Sequence, residues 1–187
     1  MNKETGRLIL RRFRNSDLDD FFEYARDPDV GPSAGWKPHK TKEYSRDILK
    51  TFMASADLFA LELKGPCKVI GSIGLHEDMK RDYKEGMMIG YAMGKPYWGR
   101  GLMVEAVNAV LHYAFYELGL RIVSAYHYPF NQQSKRVLEK AGFQYEGTLR
   151  LSSILPDGRI VDDVCYSITK EEYEQSVKEN RNRDFKR

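Results

Sequence analysis

The sequence predicts a mixed α/β domain built on a central, twisted and mostly antiparallel sheet of about seven strands, with helices on both faces. Two observations lead to this fold class. Short apolar segments typical of strands alternate with segments in which apolar residues recur every three or four positions, the spacing of amphipathic helices. A chain of 187 residues with 42% hydrophobic content can bury one ordinary core, so we expect a single domain over residues 1–187.

The first half of the chain supplies a strand, two helices and a hairpin. Ser16 and the acidic residues after it are typical of a helix start, and the helix ends before Pro28. Gly65-Pro66 predicts the turn of the hairpin. The predicted elements are, in order, a strand at 8–11, helices at 16–26 and about 42–54, and strands at 58–63 and 68–75.

The second half alternates strands and helices before a final hairpin. Gly119 and Gly142 end two helices, the second of which has Asn131 as its N-cap. Gly90 lies inside a strand and suggests a bulge or a close backbone approach. The predicted elements are a strand at 87–93, a helix at 102–118, a strand at 121–126, a helix at 131–142, strands at 152–155 and 160–168, and a charged C-terminal helix from about 170.

Residues 97–106 form a glycine-punctuated turn that runs directly into the helix at 102–118. Gly99 and Gly101 can take positive φ, so successive N–H groups can converge on an anion at the positive end of the helix. A nucleoside-triphosphate loop is excluded, because it requires Gly-Lys-Ser/Thr where this chain has Gly-Leu-Met. A dinucleotide loop would need a third glycine at Val104. The remaining alternative is that the two glycines only form the start of the helix and bind no ligand.

The motifs on both sides of this loop resemble those of the GCN5-related N-acetyltransferase (GNAT) superfamily, and within it the RimJ/RimL-type ribosomal-protein N-terminal acetyltransferases. The resemblance runs nearly from end to end of the chain. Its motifs are Leu8-Ile9-Leu10-Arg11, Val69-Ile70-Gly71-Ser72-Ile73-Gly74-Leu75, Ile89-Gly90-Tyr91, Trp98-Gly99-Arg100-Gly101, Asn131-x-x-Ser134 and Glu139-Lys140-Ala141-Gly142-Phe143.

The resemblance implies a GNAT fold in which the strands at 87–93 and 121–126 splay apart. It also implies acetyl-CoA as co-substrate, with the pantetheine arm along Tyr91 and Met93 and Asn131 near the arm. The acceptor would be a primary amine, either a protein N-terminal α-amine such as that of a ribosomal protein or a small-molecule amine, attacking directly in a ternary complex. The residues expected around the pyrophosphate are Trp98, Gly99, Arg100, Gly101, Leu102, Met103 and Val104.

Acetyl transfer requires stabilisation of the departing thiolate, and Ser134 is the leading candidate. It lies one turn into the helix capped by Asn131, whose positive end favours negative charge on sulfur. We therefore predict Ser134 and Asn131 as the catalytic pair. Many other acetyltransferases use a tyrosine at the position of Leu138, which cannot serve here. The alternative is that Ser134 only completes the hydrogen bonds of the first helical turn.

The general base is not fixed by the sequence. Members of the resembled branch commonly carry Glu just before the Ile-Gly-Tyr segment, where this chain has Met88. Water leading to bulk solvent is one alternative, because an α-amine is already partly neutral at about pH 7 to 8. The side-chain candidates are His76, Glu77, Asp82, Glu85 and His127.

The irregular segment at 29–39 carries a tryptophan and a histidine among glycines and prolines. Loops of this kind often line binding sites, so we expect Trp36 and His39, together with Glu85, on the acceptor side. The alternative is that Trp36 fills the gap between two helices.

Charge and cysteine content exclude several other classes. The net charge of +3 arises from 30 basic and 27 acidic residues that are interleaved, so we expect neither nucleic-acid nor membrane binding. Cys67 and Cys165 lack ligand-spaced partners, so we expect packing roles and no metal. The absence of an apolar leader predicts a cytoplasmic protein. Two matters stay open: a homodimer, and a noncatalytic acyl-CoA-binding module suggested by Met88 and Met103.

Overall fold

The computed structural model describes the backbone of residues 2–184 and the side chains of residues 2–179. The strands are β1 Lys3–Glu4, β2 Leu8–Arg11, β3 Leu58–Leu63, β4 Lys68–Glu77, β5 Gly86–Met93, β6 Ile122–His127, β7 Gln144–Ile154 and β8 Ile160–Thr169. The helices are α1 Leu18–Ala25, α2 Lys42–Ala54, α3 Leu102–Tyr116, α4 Gln132–Lys140 and α5 Lys170–Asp184.

The strands form one open sheet in the order β1-β2-β3-β4-β5-β6-β8-β7. Every neighbouring pair is antiparallel except β5 and β6, which are parallel. The predicted class, a mixed α/β fold on a mostly antiparallel sheet, is confirmed. Within residues 2–184 the sheet has eight strands against about seven expected, because the two-residue β1 adds an edge that carries no apolar pattern.

Helices cover both faces of the sheet, as alternate residues of β3 illustrate. Phe59 and Leu61 belong to a large core with α3, Leu138 of α4 and Tyr173 of α5. Their neighbours Leu58 and Ala60 belong to a second core with α1 and α2. Successive strand side chains point to opposite faces, so the two cores lie on opposite sides of the sheet.

The parallel strands β5 and β6 separate along most of their length. Their pairing is confined to Gly86–Met88 of β5, which lie beside Ile122–Ser124 of β6. Beyond these three residues β5 stays paired with β4, and β6 stays paired with β8. The predicted splay is therefore present, and it opens a gap in the middle of the sheet.

Three local predictions differ from the structure. Strand β7 begins at Gln144 and not near 152, because its register shifts at Tyr145/Gly147 and Leu149/Ser153 break the period-two pattern. Gly90 makes no bulge, since its register with β4 is regular; the close approach is made by the His76 ring, 3.3 Å from where a Cβ would stand. Cys67 is exposed in the β3–β4 turn, while Cys165 is buried as expected.

No helix among the described residues has both the length and the apolar character needed to cross a membrane.

Candidate active site

The turn before α3 has the backbone geometry of an anion site. Gly99 and Gly101 adopt φ values of 76° and 74°, and Gly101 is the N-cap of α3. Within residues 2–184 the N–H groups of 99–104 have no hydrogen-bond acceptor, whereas the next amide, that of Glu105, bonds to the Gly101 carbonyl. A helix N-terminus with unpaired amides attracts phosphate through hydrogen bonds and the helix dipole.

Glu105 fixes this turn to the N-terminal strands. Its carboxylate accepts hydrogen bonds from the Thr5 hydroxyl, the Arg7 backbone amide and Arg7 Nε, at 2.5, 2.8 and 2.7 Å. The same guanidinium donates through Nη1 to the Arg100 carbonyl at 2.8 Å. Burial alone would raise the pKa of Glu105, but these donors outweigh it and lower that pKa below its ordinary value. The ionised carboxylate therefore holds the loop in place.

A cavity of about 320 Å³ lies between the turn and α4. Arg136 and Lys140 line its α4 side, and neither forms an ion pair within the described residues. Arg100 is also exposed, with its guanidinium 5.6 Å from the Tyr97 ring centroid. We call it the cofactor cavity, after the ligand that the resemblance implies for the turn. It is lined by Val30, Ser33, Ala34, Tyr91, Ala92, Met93, Tyr97, Trp98, Gly99, Gly101, Leu102, Met103, Val104, Asn131, Gln133, Ser134, Arg136, Val137 and Lys140, and not by Arg100.

The backbone of β5 directs hydrogen-bonding groups into the gap. Gly94 donates its N–H to the Ile70 carbonyl of β4 at 2.8 Å. Because bonding direction alternates along an antiparallel strand, the groups of Tyr91 and Met93 face the opposite side, towards β6. The Trp98 indole N–H occupies one acceptor position on the Met93 carbonyl at 2.6 Å. Backbone groups of Tyr91 and Met93 thus face the gap, and their pairing with a pantetheine arm stays a prediction.

Tyr91 and Ser134 form a hydroxyl pair at the centre of the gap. Their hydroxyl oxygens lie 2.9 Å apart. Burial raises the pKa of Tyr91 above its ordinary value, although the bond to Ser134 partly opposes this, so the phenol stays protonated. Two O–H groups in contact can together direct one proton towards a third atom. The Ser134 hydroxyl therefore contacts Tyr91 across 43 positions of the chain, and its catalytic role stays a prediction.

Asn131 positions Ser134 by capping α4. Its side-chain oxygen accepts the Ser134 N–H at 3.0 Å, and its amide donates to the Ser33 carbonyl at 2.9 Å. The oxygen and the nitrogen of the Asn131 side chain are thus each hydrogen-bonded to the protein backbone. Asn131 therefore fixes the helix start and the 32–34 turn, and its predicted role is better described as positioning.

A second cavity, of about 280 Å³, also borders the hydroxyl pair. Tyr91, Asn131 and Ser134 line both cavities, together with Ser33 and Ala34. We call the second one the acceptor cavity. Its other lining residues are Lys80, Met88, Ile89, Gly90, Ala125, Tyr126, His127, Tyr128, Ser153 and Asp163.

Asp163 is the buried carboxylate of the acceptor cavity, with 3% of its surface exposed. It accepts hydrogen bonds from Lys80 Nζ at 2.7 Å and from the hydroxyls of Ser152 and Ser153 at 2.9 and 2.8 Å. Burial would raise the pKa of Asp163, but these donors lower it overall. Lys80 also lies 3.8 Å from the Tyr126 ring centroid. The two charges of this cavity are therefore paired with each other.

Three predicted acceptor-side residues lie outside both cavities. His39 is 7% exposed and bonds through Nδ1 to the Ser45 hydroxyl at 2.7 Å, packed edge-on against Phe21. Trp36 packs on the α1–α2 core and donates to the Ala25 carbonyl, which supports the gap-filling alternative. Glu85 is exposed at the paired end of β5, away from the splay.

Most of the candidate general bases also lie outside both cavities. Glu77 and Asp82 are exposed and line neither cavity, and His76 lies beside Gly90 without lining one. His127 is the one candidate that the described structure brings to the acceptor cavity. Met88, at the expected carboxylate position, lines the same cavity.

Sequence reasoning missed the Tyr91 hydroxyl and most of the acceptor cavity. Tyr91 was expected to act through its backbone only, and nothing in its motif indicates contact with Ser134 43 residues later. Arg136 and Lys140 did carry a signal, since basic residues four apart occupy one face of a helix. Lys80 and Asp163 carried none, because 83 positions separate them in the chain.

Comparisons with known proteins agree with this geometry. Residues 7–144 match the family described as Acetyltransferase (GNAT) domain. An uncharacterized N-acetyltransferase, p20 of Bacillus licheniformis, is 31% identical over 90% of this chain and 96% of its own length. The [ribosomal protein uS5]-alanine N-acetyltransferase of Escherichia coli is 25% identical over 88% and 89%. The solved GNAT-family acetyltransferase from Bacillus anthracis is 29% identical, with a TM-score of 0.82 over 91% of this chain and 99% of that one.

Proposed function

This chain belongs to the GNAT acetyltransferase family and is an N-acetyltransferase, and we propose that it acetylates a primary amine by direct attack on acetyl-CoA in a ternary complex. One observation carries the proposal. Two cavities, lined otherwise by different residues, share the Tyr91–Ser134 hydroxyl pair in their walls. A thioester held in one cavity and an amine held in the other would meet there.

The cofactor cavity suits coenzyme A along its length. The free amides of 99–104 would hold the pyrophosphate, with Arg100, Arg136 and Lys140 adding positive charge around the phosphates. The backbone groups of Tyr91 and Met93 would pair with the pantetheine amides. This arrangement would direct the thioester towards Ser134.

The hydroxyl pair would stabilise the departing sulfur. As the amine nitrogen bonds to the carbonyl carbon, the C–S bond breaks and negative charge develops on sulfur. Burial raises the pKa of the Tyr91 phenol, so Tyr91 keeps its proton and can donate it to the Ser134 oxygen, which leaves the Ser134 O–H to donate to the thiolate. Ser134 would make that bond, and Tyr91 would polarise it. The proton that the nitrogen loses then returns to sulfur or to solvent.

The acceptor class is supported by lower sequence identity than the family is, because the relative named for ribosomal protein uS5 is 25% identical to this chain. We propose a protein N-terminal α-amine as the first acceptor to test. The apolar floor at Met88, Ile89 and Ala125 would contact a small first side chain. Met88 also removes a charge that the resembled branch commonly has there, so a small-molecule amine is the second acceptor to test.

A thiol-release assay on the purified chain tests the proposal. The panel contains acetyl-CoA with N-terminal peptides, among them one beginning with the uS5 alanine, and with amino acids, polyamines and aminoglycosides. Release of CoA that depends on one acceptor, with an acetylated product found by mass spectrometry, is the expected result. Micromolar acetyl-CoA binding without turnover of any amine would contradict transfer and leave an acyl-CoA-binding module.

A further inference from the structure

His127, at the end of β6, has one ring nitrogen without a partner. The imidazole is 5% exposed, and Nδ1 lies 2.8 Å from the Tyr128 carbonyl oxygen. A carbonyl oxygen only accepts hydrogen bonds, so Nδ1 carries the hydrogen of the neutral ring and Nε2 carries the lone pair. Nε2 is buried and has no hydrogen-bond partner within residues 2–184. Buried polar atoms in proteins are normally paired, whereas Nε2 keeps a lone pair that no described protein group uses.

The same imidazole lines the acceptor cavity that Tyr91 and Ser134 also line. The other ionisable groups around the imidazole either form hydrogen bonds with other residues or keep their protons. Asp163 accepts three hydrogen bonds, one of them from Lys80, and burial raises the pKa values of the Tyr128 and Tyr166 phenols. Tyr166 of β8 lies against the imidazole, with ring centroids 5.6 Å apart.

We infer that His127 is the general base of the transfer, taking the proton of the attacking amine on Nε2; the inference rests on the proposed function. The neutral amine attacks through its lone pair, the N–C bond forms and the C–S bond breaks. One N–H proton passes to Nε2 and gives an imidazolium whose Nδ1–H stays bonded to the Tyr128 carbonyl. The thiolate then takes a proton from solvent, the imidazolium loses one to solvent, and the atoms balance as amide plus CoA thiol. His127 thereby supplies the base that Met88 cannot.

Substitution of His127 by Asn tests this role. Asparagine keeps an N–H donor near the position of Nδ1 for the Tyr128 carbonyl, and it removes the basic nitrogen. His127→Gln is the second variant, and His112→Asn, an exposed histidine on α3 that lines neither cavity, is the matched control. The measurements are kcat/KM from pH 5.5 to 9.5 and acetyl-CoA affinity for each protein.

We expect a fall in kcat/KM of about a hundredfold or more at pH 7.5 in both His127 variants, the usual size of a lost general base, with acetyl-CoA affinity within twofold. The His112→Asn control should keep the wild-type kcat/KM over the same pH range. A His127 variant that binds acetyl-CoA and turns over within threefold of the wild type would overturn the inference. A wild-type protein that acetylates no amine would instead contradict the proposed function, and this inference with it.

Discussion

The two cavities that meet at the hydroxyl pair are built in different ways. The cofactor cavity depends largely on the backbone of one stretch of chain, residues 91–104, to which the 30–34 segment and α4 add side chains. The acceptor cavity depends on side chains from many distant segments, with Lys80, Tyr126, Ser153 and Asp163 as examples. Binding by backbone groups survives most changes of side chain, whereas binding by side chains changes with each substitution. We therefore expect the cofactor cavity to be similar among enzymes of one reaction class and the acceptor cavity to differ with the individual acceptor.

The largest effect should come from the hydroxyl pair, which belongs to both cavities. Ser134→Ala should lower kcat by about ten- to a thousandfold with acetyl-CoA affinity almost unchanged, because the donor acts only as charge develops on sulfur. Tyr91→Phe should lower kcat by less, about tenfold, since the phenol acts through Ser134. Tyr145→Phe, which removes an exposed hydroxyl outside both cavities, is the control. A destabilised but fully active Ser134→Ala protein would mean that Ser134 is only a helix-start residue.

The backbone character of the cofactor cavity can be tested at its glycines. Gly101→Val should weaken acetyl-CoA binding by about tenfold or more, because a β-branched residue at φ 74° moves the amides that face the phosphates. Gly119→Val is a close match, since Gly119 has φ 71°, has open space around it and lies outside both cavities. Both variants should lose similar thermal stability. Equal acetyl-CoA affinity in the two folded variants would disprove the anion site.

The unpaired cations on α4 should add a smaller, screened contribution. Arg136→Ala and Lys140→Ala should each weaken CoA binding by about three- to fivefold at low salt, and less at high salt, as expected for partly exposed charges near phosphates. Lys135→Ala is the control on the same helix, because Lys135 lies 3.8 Å from Glu139 and lines neither cavity. Titration calorimetry at two salt concentrations measures the CoA affinity of each variant. An equal loss of affinity in Lys135→Ala would mean that the effect comes from the net charge of the protein and not from these two side chains.

The smallest effect should be at Glu105, which supports the turn without lining the cavity. Because its donors lower the pKa of Glu105, its stabilisation is complete above the ordinary carboxyl pKa of about 4.3 and is lost as pH falls through the lowered value. Glu105→Gln should therefore reduce unfolding free energy by about 1–2 kcal/mol at pH 7 and by less near pH 3. Glu4→Gln, at an exposed ion pair with Lys64, should change little. Denaturant unfolding at both pH values measures this, and a Glu105 difference that persists at pH 3 would contradict it.

The same contrast between backbone and side-chain sites explains which features could be predicted from the sequence. The fold class and the glycine turn before α3 were predictable, because local patterns such as Trp98-Gly99-Arg100-Gly101 and the cap at Asn131 determine backbone geometry directly. The splay was expected from the family resemblance alone. The acceptor cavity was not predictable, because contacts such as that of Lys80, in the β4–β5 connection, with Asp163 of β8 arise only when the whole sheet has assembled. His39 was misplaced for the opposite reason: its loop looked like a binding loop, but Ser45 and Phe21 bury the ring.

The central claim is that the two cavities form one reaction path through the gap between β5 and β6. A crystal structure with acetyl-CoA tests it most directly. The claim predicts the pyrophosphate on the amides of 99–104, the pantetheine paired with the backbone of Tyr91 and Met93, and the sulfur within hydrogen-bond reach of the Ser134 hydroxyl, with the acetyl group facing the acceptor cavity. A pantetheine arm that lies outside the gap, or a sulfur remote from Ser134 and Tyr91, would contradict it.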